Sequence, residues 1–163
     1  YVLKKISSRK TIRGRKIEMN LELNNMVVSD LDSISNILET EFDDFWNYNV
    51  FKQELENENS IYIVAKINNE IVGFGGIWKS VDDVHITNIV TKKNMRNLGI
   101  ATQILTQLIN IAKSLKFTSV TLEVNENNTN AIKLYEKFNF TKLGIRKKYY
   151  KNTDNAIIMT LYI

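Results

Sequence analysis

The 163-residue sequence contains no cysteine, no proline and a single histidine, His85. Without thiols there is no disulfide, no thiolate nucleophile and no cysteine-ligated zinc. One imidazole leaves no histidine cluster for a metal, and no metal is expected. No apolar run approaches the roughly 18 residues of a membrane-spanning helix, so the chain reads as soluble. Any chemistry it performs falls to carboxylates, hydroxyls, phenols, amines and backbone groups. The lack of proline, set beside abundant Asn, Ile and Lys, reads as nucleotide bias and carries no functional information.

The remaining composition, 44% hydrophobic and 25% charged, is that of an ordinary globule. Its length suits one domain able to bury about two thirds of its unfolded surface. The net charge of +4 is unevenly spread: residues 1–18 hold seven Lys or Arg and one acid, leaving 15 basic and 17 acidic residues beyond them. The basic character belongs to a leader. The expectation is that residues 1–18 are poorly ordered or dispensable, ahead of a domain over residues 19–163 with a natural start near Met19. A nucleic-acid tether acting through phosphate attraction and a transit peptide, also basic and acid-poor, stand as the other readings.

From Met19 the pattern alternates strand and helix with short polar joints. LELNNMVV predicts a strand, and Asp30 then caps a helix carrying Leu31, Ile34, Ile37 and Leu38 on one face. A second short helix starts near Asn47. SIYIVAKI and EIVGFGGIWK flank Asn68 and Asn69, which is a hairpin signal. VHITNIV is a further strand. Ile104, Leu108, Ile111 and Leu115 form the apolar stripe of a helix after Gly99. TSVTLEV, a helix with Ala131, Leu134, Tyr135 and Phe138 on one face, and extended stretches over 140–149 and 156–162 complete one mixed α/β domain.

Gly99 stands where a strand hands over to a helix, in MRNLGIA. The first N–H groups of a helix lack intrahelical partners and its dipole is positive there, so phosphate is stabilised if backbone can come close. Glycine permits that approach, and Ala101 is the next smallest choice. Arg96 adds a charge-assisted contact and Thr102 a hydroxyl. Alone, R-x-x-G-x-A is more often an ordinary turn. It lacks the GK[ST] of a P-loop and the three glycines of a dinucleotide fingerprint.

In its place along the chain, Arg96 to Ala101 resembles the coenzyme pyrophosphate loop, Q/R-x-x-G-x-G/A, of the GCN5-related N-acetyltransferase family. LEVNENNTNAIKLYEKFNF and IRKKYYKNTDNAIIMTL resemble the bacterial ribosomal-protein-alanine N-acetyltransferases within it, over about residues 20–163. Ala101 replaces the commoner glycine, and the segment between Tyr150 and Ala156 is short for the family.

The resemblance implies a mixed, mostly antiparallel sheet of about six to seven strands flanked by about four helices. It implies acetyl-CoA as co-substrate, Glu123 as general base and Tyr135 as general acid. It also implies coenzyme contacts from Ile89, Val90 and Thr91, from Arg96, Asn97, Leu98, Gly99, Ile100, Ala101 and Thr102, and from Asn128. Without the family, Glu123 reads as a solvated strand-end charge and Tyr135 as a core aromatic. The chemistry asks independently for such groups: an amine attacking a thioester needs a neutral nucleophile, donors for the developing oxyanion and an acid for the leaving sulfur.

The acceptor is the open question. A free α-amine has a pKa near 7.7–8.0 against about 10.4 for lysine, which suits a weak carboxylate base. The resemblance implies the N-terminal alanine of a small-subunit ribosomal protein, in the cytoplasm. No membrane partner is expected, and no nucleic acid except through the leader. Asp43, Asp44, Glu54, Glu56 and Glu58 either attract a basic substrate tail or form a solvated face. Trp46 and Tyr149 either line an acceptor groove or pack; His85 and Trp78 read as structural. Acetylation of a lysine, a polyamine or an antibiotic amine is the alternative within enzymes, and a non-catalytic acetyl-CoA-binding module the alternative outside them.

Overall fold

The structure, a computed structural model, describes residues 2–12, 14–42 and 46–163. It opens with the hairpin β1 (Val2–Ile12) and β2 (Arg15–Asn25), then α1 (Val28–Ile34), a π turn at Leu38–Phe42 and α2 (Tyr48–Glu56). Next come β3 (Ser60–Ile67), β4 (Glu70–Lys79), β5 (Asp83–Thr91), a 3-10 turn at Lys93–Met95 and α3 (Ile100–Ser114). β6 (Ser119–Asn125), α4 (Thr129–Lys137), β7 (Thr141–Tyr150) and β8 (Asp154–Tyr162) finish the chain.

Among the described residues the sheet has eight strands, in the order β1-β2-β3-β4-β5-β6-β8-β7. β5 and β6 pair in parallel, while β1–β2, β2–β3, β6–β8 and β7–β8 are antiparallel. It is the mixed sheet expected, with one strand more. No helix among the described residues is long and apolar enough to cross a membrane. Residues up to Ile77 together with Asn88–Leu108 make one compact unit, and Trp78–Thr87 with Ile109–Ile163 make a second.

The additional strand is β1, over residues expected to be poorly ordered. It is built by backbone: from Lys4 to Ile12 its residues pair with β2 from Leu23 to Arg15. Ladder hydrogen bonds use groups every residue carries, so a strand formed on an open edge leaves little trace in hydropathy. β2 continues across the expected boundary at residue 19, and its Met19, Leu21 and Leu23 are buried in alternation.

In the first unit, α1, the π turn, α2, β3 and β4 enclose a core in which Phe51 meets Tyr62 at 5.3 Å and Phe74 at 5.0 Å between ring centroids. Buried aromatics in such contacts contribute about 0.5–1.5 kcal/mol beyond their area. The helix expected over residues 31–38 is shorter, ending at Ile34, with Leu38 buried in the separate π turn. Asp30 stabilises α1 from inside its first turn: its carboxylate accepts from the Val27 N–H at 3.0 Å and pairs with Lys66 at 2.6 Å. Asn47 caps α2 by accepting from the Val50 N–H at 3.0 Å. Asn68 and Asn69, at φ 51° and 64°, make the β3–β4 turn.

In the second unit, Val120, Leu122 and Val124 of β6 are buried, which by the period of two sets Thr121 and Glu123 on the opposite face. Thr121 shares a 2.6 Å hydroxyl contact with Thr160 of β8. The α3 stripe differs from expectation at its end. Ile104, Leu105, Leu108 and Ala112 are fully buried, while Leu115 falls past the helix and is 46% exposed.

Candidate active site

At the start of α3, in the first unit, two residues adopt left-handed backbone: Asn97 at φ 62° and Gly99 at φ 80°. The Gln103 N–H bonds the Gly99 carbonyl at 3.2 Å as the helix begins. By helix geometry, the N–H groups of Ile100, Ala101 and Thr102 then point out of the helix end with no intrahelical acceptor. That is the arrangement an anion recognises.

Two glycines of β4 let α3 lie close against the sheet. A Cβ on Gly75 would stand 2.7 Å from Ile104, and one on Gly73 would stand 2.8 Å from the Val90 carbonyl and 3.2 Å from Ile100. The end of β5 is anchored as well. The Lys92 N–H bonds the Val72 carbonyl at 2.9 Å, and its nearly buried ammonium sits between Glu70 at 2.5 Å and Glu41 at 3.1 Å. The Glu70 carboxylate holds the Lys92 pKa up, with Glu41 adding to it. Lys93 reaches the Thr40 carbonyl at 2.7 Å.

Of the three β5 residues expected at the coenzyme's arm, Val90 is buried and Thr91 has its hydroxyl oxygen buried without a partner. The side-chain oxygen of Asn88 is orphaned in the same way. Buried polar atoms left unpaired cost about 1–3 kcal/mol each, so a ligand with amide and carbonyl groups fits this strand end.

Glu123, in the second unit, is the first β6 residue beyond the ladder with β5, which ends at the pair Ile86 and Leu122. Its carboxylate is 15% exposed and pairs with Arg146 Nη1 at 3.0 Å. The Tyr150 hydroxyl lies 3.4 Å from the Glu123 carbonyl oxygen, and the Tyr149 phenol feels the charge of the Glu123 carboxylate. A bulge makes this possible. In a regular strand Arg146 and Tyr149 would face opposite sides, but the register shifts between Arg146 and Tyr150, with Lys148 at φ 51°. The guanidinium accordingly stacks 5.0 Å from the Tyr149 ring centroid, and the rings of Tyr149 and Tyr150 meet edge to face at 5.0 Å.

Tyr135 is buried on α4 with its ring 5.7 Å from that of Phe140. Burial, with a smaller contribution from Tyr150, pushes its pKa up to about 12. Tyr150 is likewise pushed to about 12, by burial, then Tyr149 and Glu123. Tyr149 is raised by burial and the Glu123 charge. All three phenols therefore keep their protons at neutral pH.

The other expected residues separate. The Asn128 side chain caps α4, accepting from the Ala131 N–H at 3.2 Å. Trp46 packs at 5.8 Å from Phe51 and 6.3 Å from Tyr62, so it belongs to the aromatic core, whereas Tyr149 stands beside Glu123. Glu54 accepts from Ser60 at 2.9 Å, Glu56 and Glu58 are exposed, and Asp43 and Asp44 lie outside the described residues. Arg146, Tyr150 and Lys92 were not singled out by the sequence reading. The signal for the first two is the bulge, and a bulge has no hydropathy signature. Among the described residues no group of three or more His, Cys, Asp or Glu is placed to hold a metal.

Residues 31–140 match the acetyltransferase (GNAT) family. The chain belongs to that family and is an acyltransferase, of a kind that uses acetyl-CoA. It is 32% identical over 115 residues to a ribosomal protein bS18-alanine N-acetyltransferase of Haemophilus ducreyi, covering 67% of this chain and 79% of that one. It is 29% identical to an N-alpha-acetyltransferase of Sulfolobus acidocaldarius, covering 88% and 94%. The crystal structure of the ribosomal-protein-S18-alanine N-acetyltransferase from Escherichia coli superposes with a TM-score of 0.80 at 25% identity, over 88% of this chain and 94% of that one.

Proposed function

We propose that this enzyme transfers the acetyl group of acetyl-CoA to the N-terminal α-amine of a protein, the preferred acceptor being the N-terminal alanine of a small-subunit ribosomal protein. The observation that carries the reading is the setting of Glu123: a carboxylate at the end of a parallel ladder, paired with Arg146 and edged by phenols. The names of the bacterial and archaeal relatives support an α-amine acceptor.

When bound, acetyl-CoA supplies an activated acyl thioester. Ile100, Ala101 and Thr102 hold its diphosphate through backbone N–H groups, with Arg96, Asn97, Leu98 and Gly99 shaping the approach. Ile89, Val90 and Thr91 contact the acetyl and pantetheine arm, and β5 backbone N–H groups are donors to the developing oxyanion. Asn128 contributes near the start of α4. Glu123 accepts the proton of the attacking amine, directly or through water.

Tyr135 donates to the departing sulfur. A thiol titrates near 8.5 and this phenol near 12, so full transfer to the thiolate is uphill and the phenol acts by donating a hydrogen bond as charge develops on sulfur, the thiolate leaving in that contact. The magnitudes also favour the α-amine. At pH 7 roughly one α-amine in ten is neutral, against about one lysine in a few thousand, and Glu123 has far less work to do on the former.

Residues 19–163 carry this chemistry in the proposal, the leader not being needed for the acetyl transfer itself, and the setting is cytoplasmic. The experiment is a set of acceptors: an alanine-initiated peptide with the sequence of a small-subunit ribosomal protein, the same peptide N-terminally blocked but lysine-containing, and small amines. Thiol release with the first and little with the others is the expected result. Equal use of the blocked peptide would give the function to lysine acetylation, and coenzyme binding without thiol release to a binding module.

A further inference from the structure

We propose that Lys10, on the N-terminal hairpin, is a ligand for the diphosphate of coenzyme A. This rests on the acetyl-CoA reading of the loop at Gly99 and adds to it a residue from outside that loop. β1 has two rows: Lys5, Ser7, Arg9 and Thr11 are exposed, while Lys4, Ile6, Ser8 and Lys10 are half-buried. The inner row reaches the start of α3. There Ser8, Lys10 and Leu21 of the hairpin, with Leu98, Gly99 and Thr102 of the loop, line an open pocket of about 260 Å³. The Lys10 ammonium donates to the Leu98 carbonyl and stands 3.1 Å from where a Cβ on Gly99 would be.

The charge balance at this point favours an anion. A cation beside a helix N-terminus is opposed by the helix dipole, and a phosphate placed between them is attracted by both. Among the described residues Lys10 has no carboxylate in ion-pair contact, whereas Lys5 on the same strand pairs with Glu22 at 2.8 Å. The pocket walls contributed by Leu21 and Leu98 limit solvent screening of the contact. Leu98 itself lies within the Arg96 to Ala101 loop, which assigns the ammonium to the diphosphate and not to the 3′-phosphate. The basic hairpin thus acts as a second wall of the coenzyme site. The leader is dispensable for the transfer step and contributes to coenzyme affinity.

The test is calorimetric titration of the full chain and its Lys10→Ala, Lys10→Arg and Lys5→Ala variants with acetyl-CoA and with its 3′-dephospho analogue. Loss of one charge-assisted contact predicts about a tenfold rise in Kd for Lys10→Ala. The rise should be the same for both ligands and smaller at high salt. Lys10→Arg should restore most of the affinity, and Lys5→Ala should bind and turn over as the parent. Unaltered or tighter binding by Lys10→Ala would overturn the proposal, the latter making the hairpin a cover over the loop. So would an effect confined to the 3′-phosphorylated ligand. A parent chain that binds no acetyl-CoA would instead remove the coenzyme reading beneath it.

Discussion

Arg146 Nη1 stands 3.0 Å from Glu123 Oε1, with the guanidinium about half exposed and the carboxylate largely covered. An ion pair so open to water contributes about 0–1 kcal/mol to stability, so its value lies in fixing where the carboxylate points. Arg146→Ala is therefore expected to shift the unfolding free energy by less than about 1 kcal/mol while lowering kcat by on the order of tenfold. Arg146→Lys should recover part of the rate. Denaturant melts alongside steady-state kinetics check both, and a variant that loses stability without losing kcat would make the pair a structural one.

Tyr135→Phe keeps the packing against Phe140 and removes the proton donor. Turnover should fall by on the order of 10²–10⁴ with acetyl-CoA affinity little changed. Thiol-release assays with matched calorimetry separate the two quantities. Parent-like turnover would take the role of acid away from this phenol.

The same phenol predicts an alkaline limb in stability. Its folded pKa of about 12 lies above the ordinary value of 10, so the stabilisation is fully present below pH 10 and is lost as pH rises through 12. For this buried group the shift corresponds to about 2–3 kcal/mol. Urea midpoints measured from pH 9 to pH 12 should decline in the parent and decline less in Tyr135→Phe. Parallel declines would mean that the burial of Tyr135 does not govern its ionisation.

At Gly99, φ is 80° and a β-branched residue is strained there by about 1–2 kcal/mol. Gly99→Val should nevertheless weaken acetyl-CoA binding by more than it lowers stability, because its side chain would occupy the approach to the helix N-terminus. Undiminished binding in a calorimeter would reduce Gly99 to a turn residue.

Much of the fold is legible in the sequence. The strands at residues 60–67, 70–79 and 119–125 carry dense apolar or alternating side chains, and Asn68 with Asn69 marks a hairpin by its tolerance of left-handed backbone. Glu123, Tyr135 and Gly99 stand out in the sequence because their residue types suit acyl transfer and recur at the family's spacing. What escaped was held by backbone or by long-range contact. β1 forms through ladder bonds to β2, Lys92 is defined by Glu41 and Glu70 far away in sequence, and Arg146 meets Tyr149 only through the bulge at Lys148. None of these leaves a periodic trace. α1 was read too long because Leu38 keeps helical spacing while the chain passes into a different turn.

The central claim is α-amine acetylation of a ribosomal protein, and its most direct measurement is mass spectrometry of purified small-subunit proteins incubated with the enzyme and acetyl-CoA. The account predicts one acetyl group, on the N-terminal alanine of a single protein, absent when Glu123→Gln replaces the parent enzyme. Acetyl groups on lysine side chains, or unmodified proteins under conditions where small amines are acetylated, would contradict it.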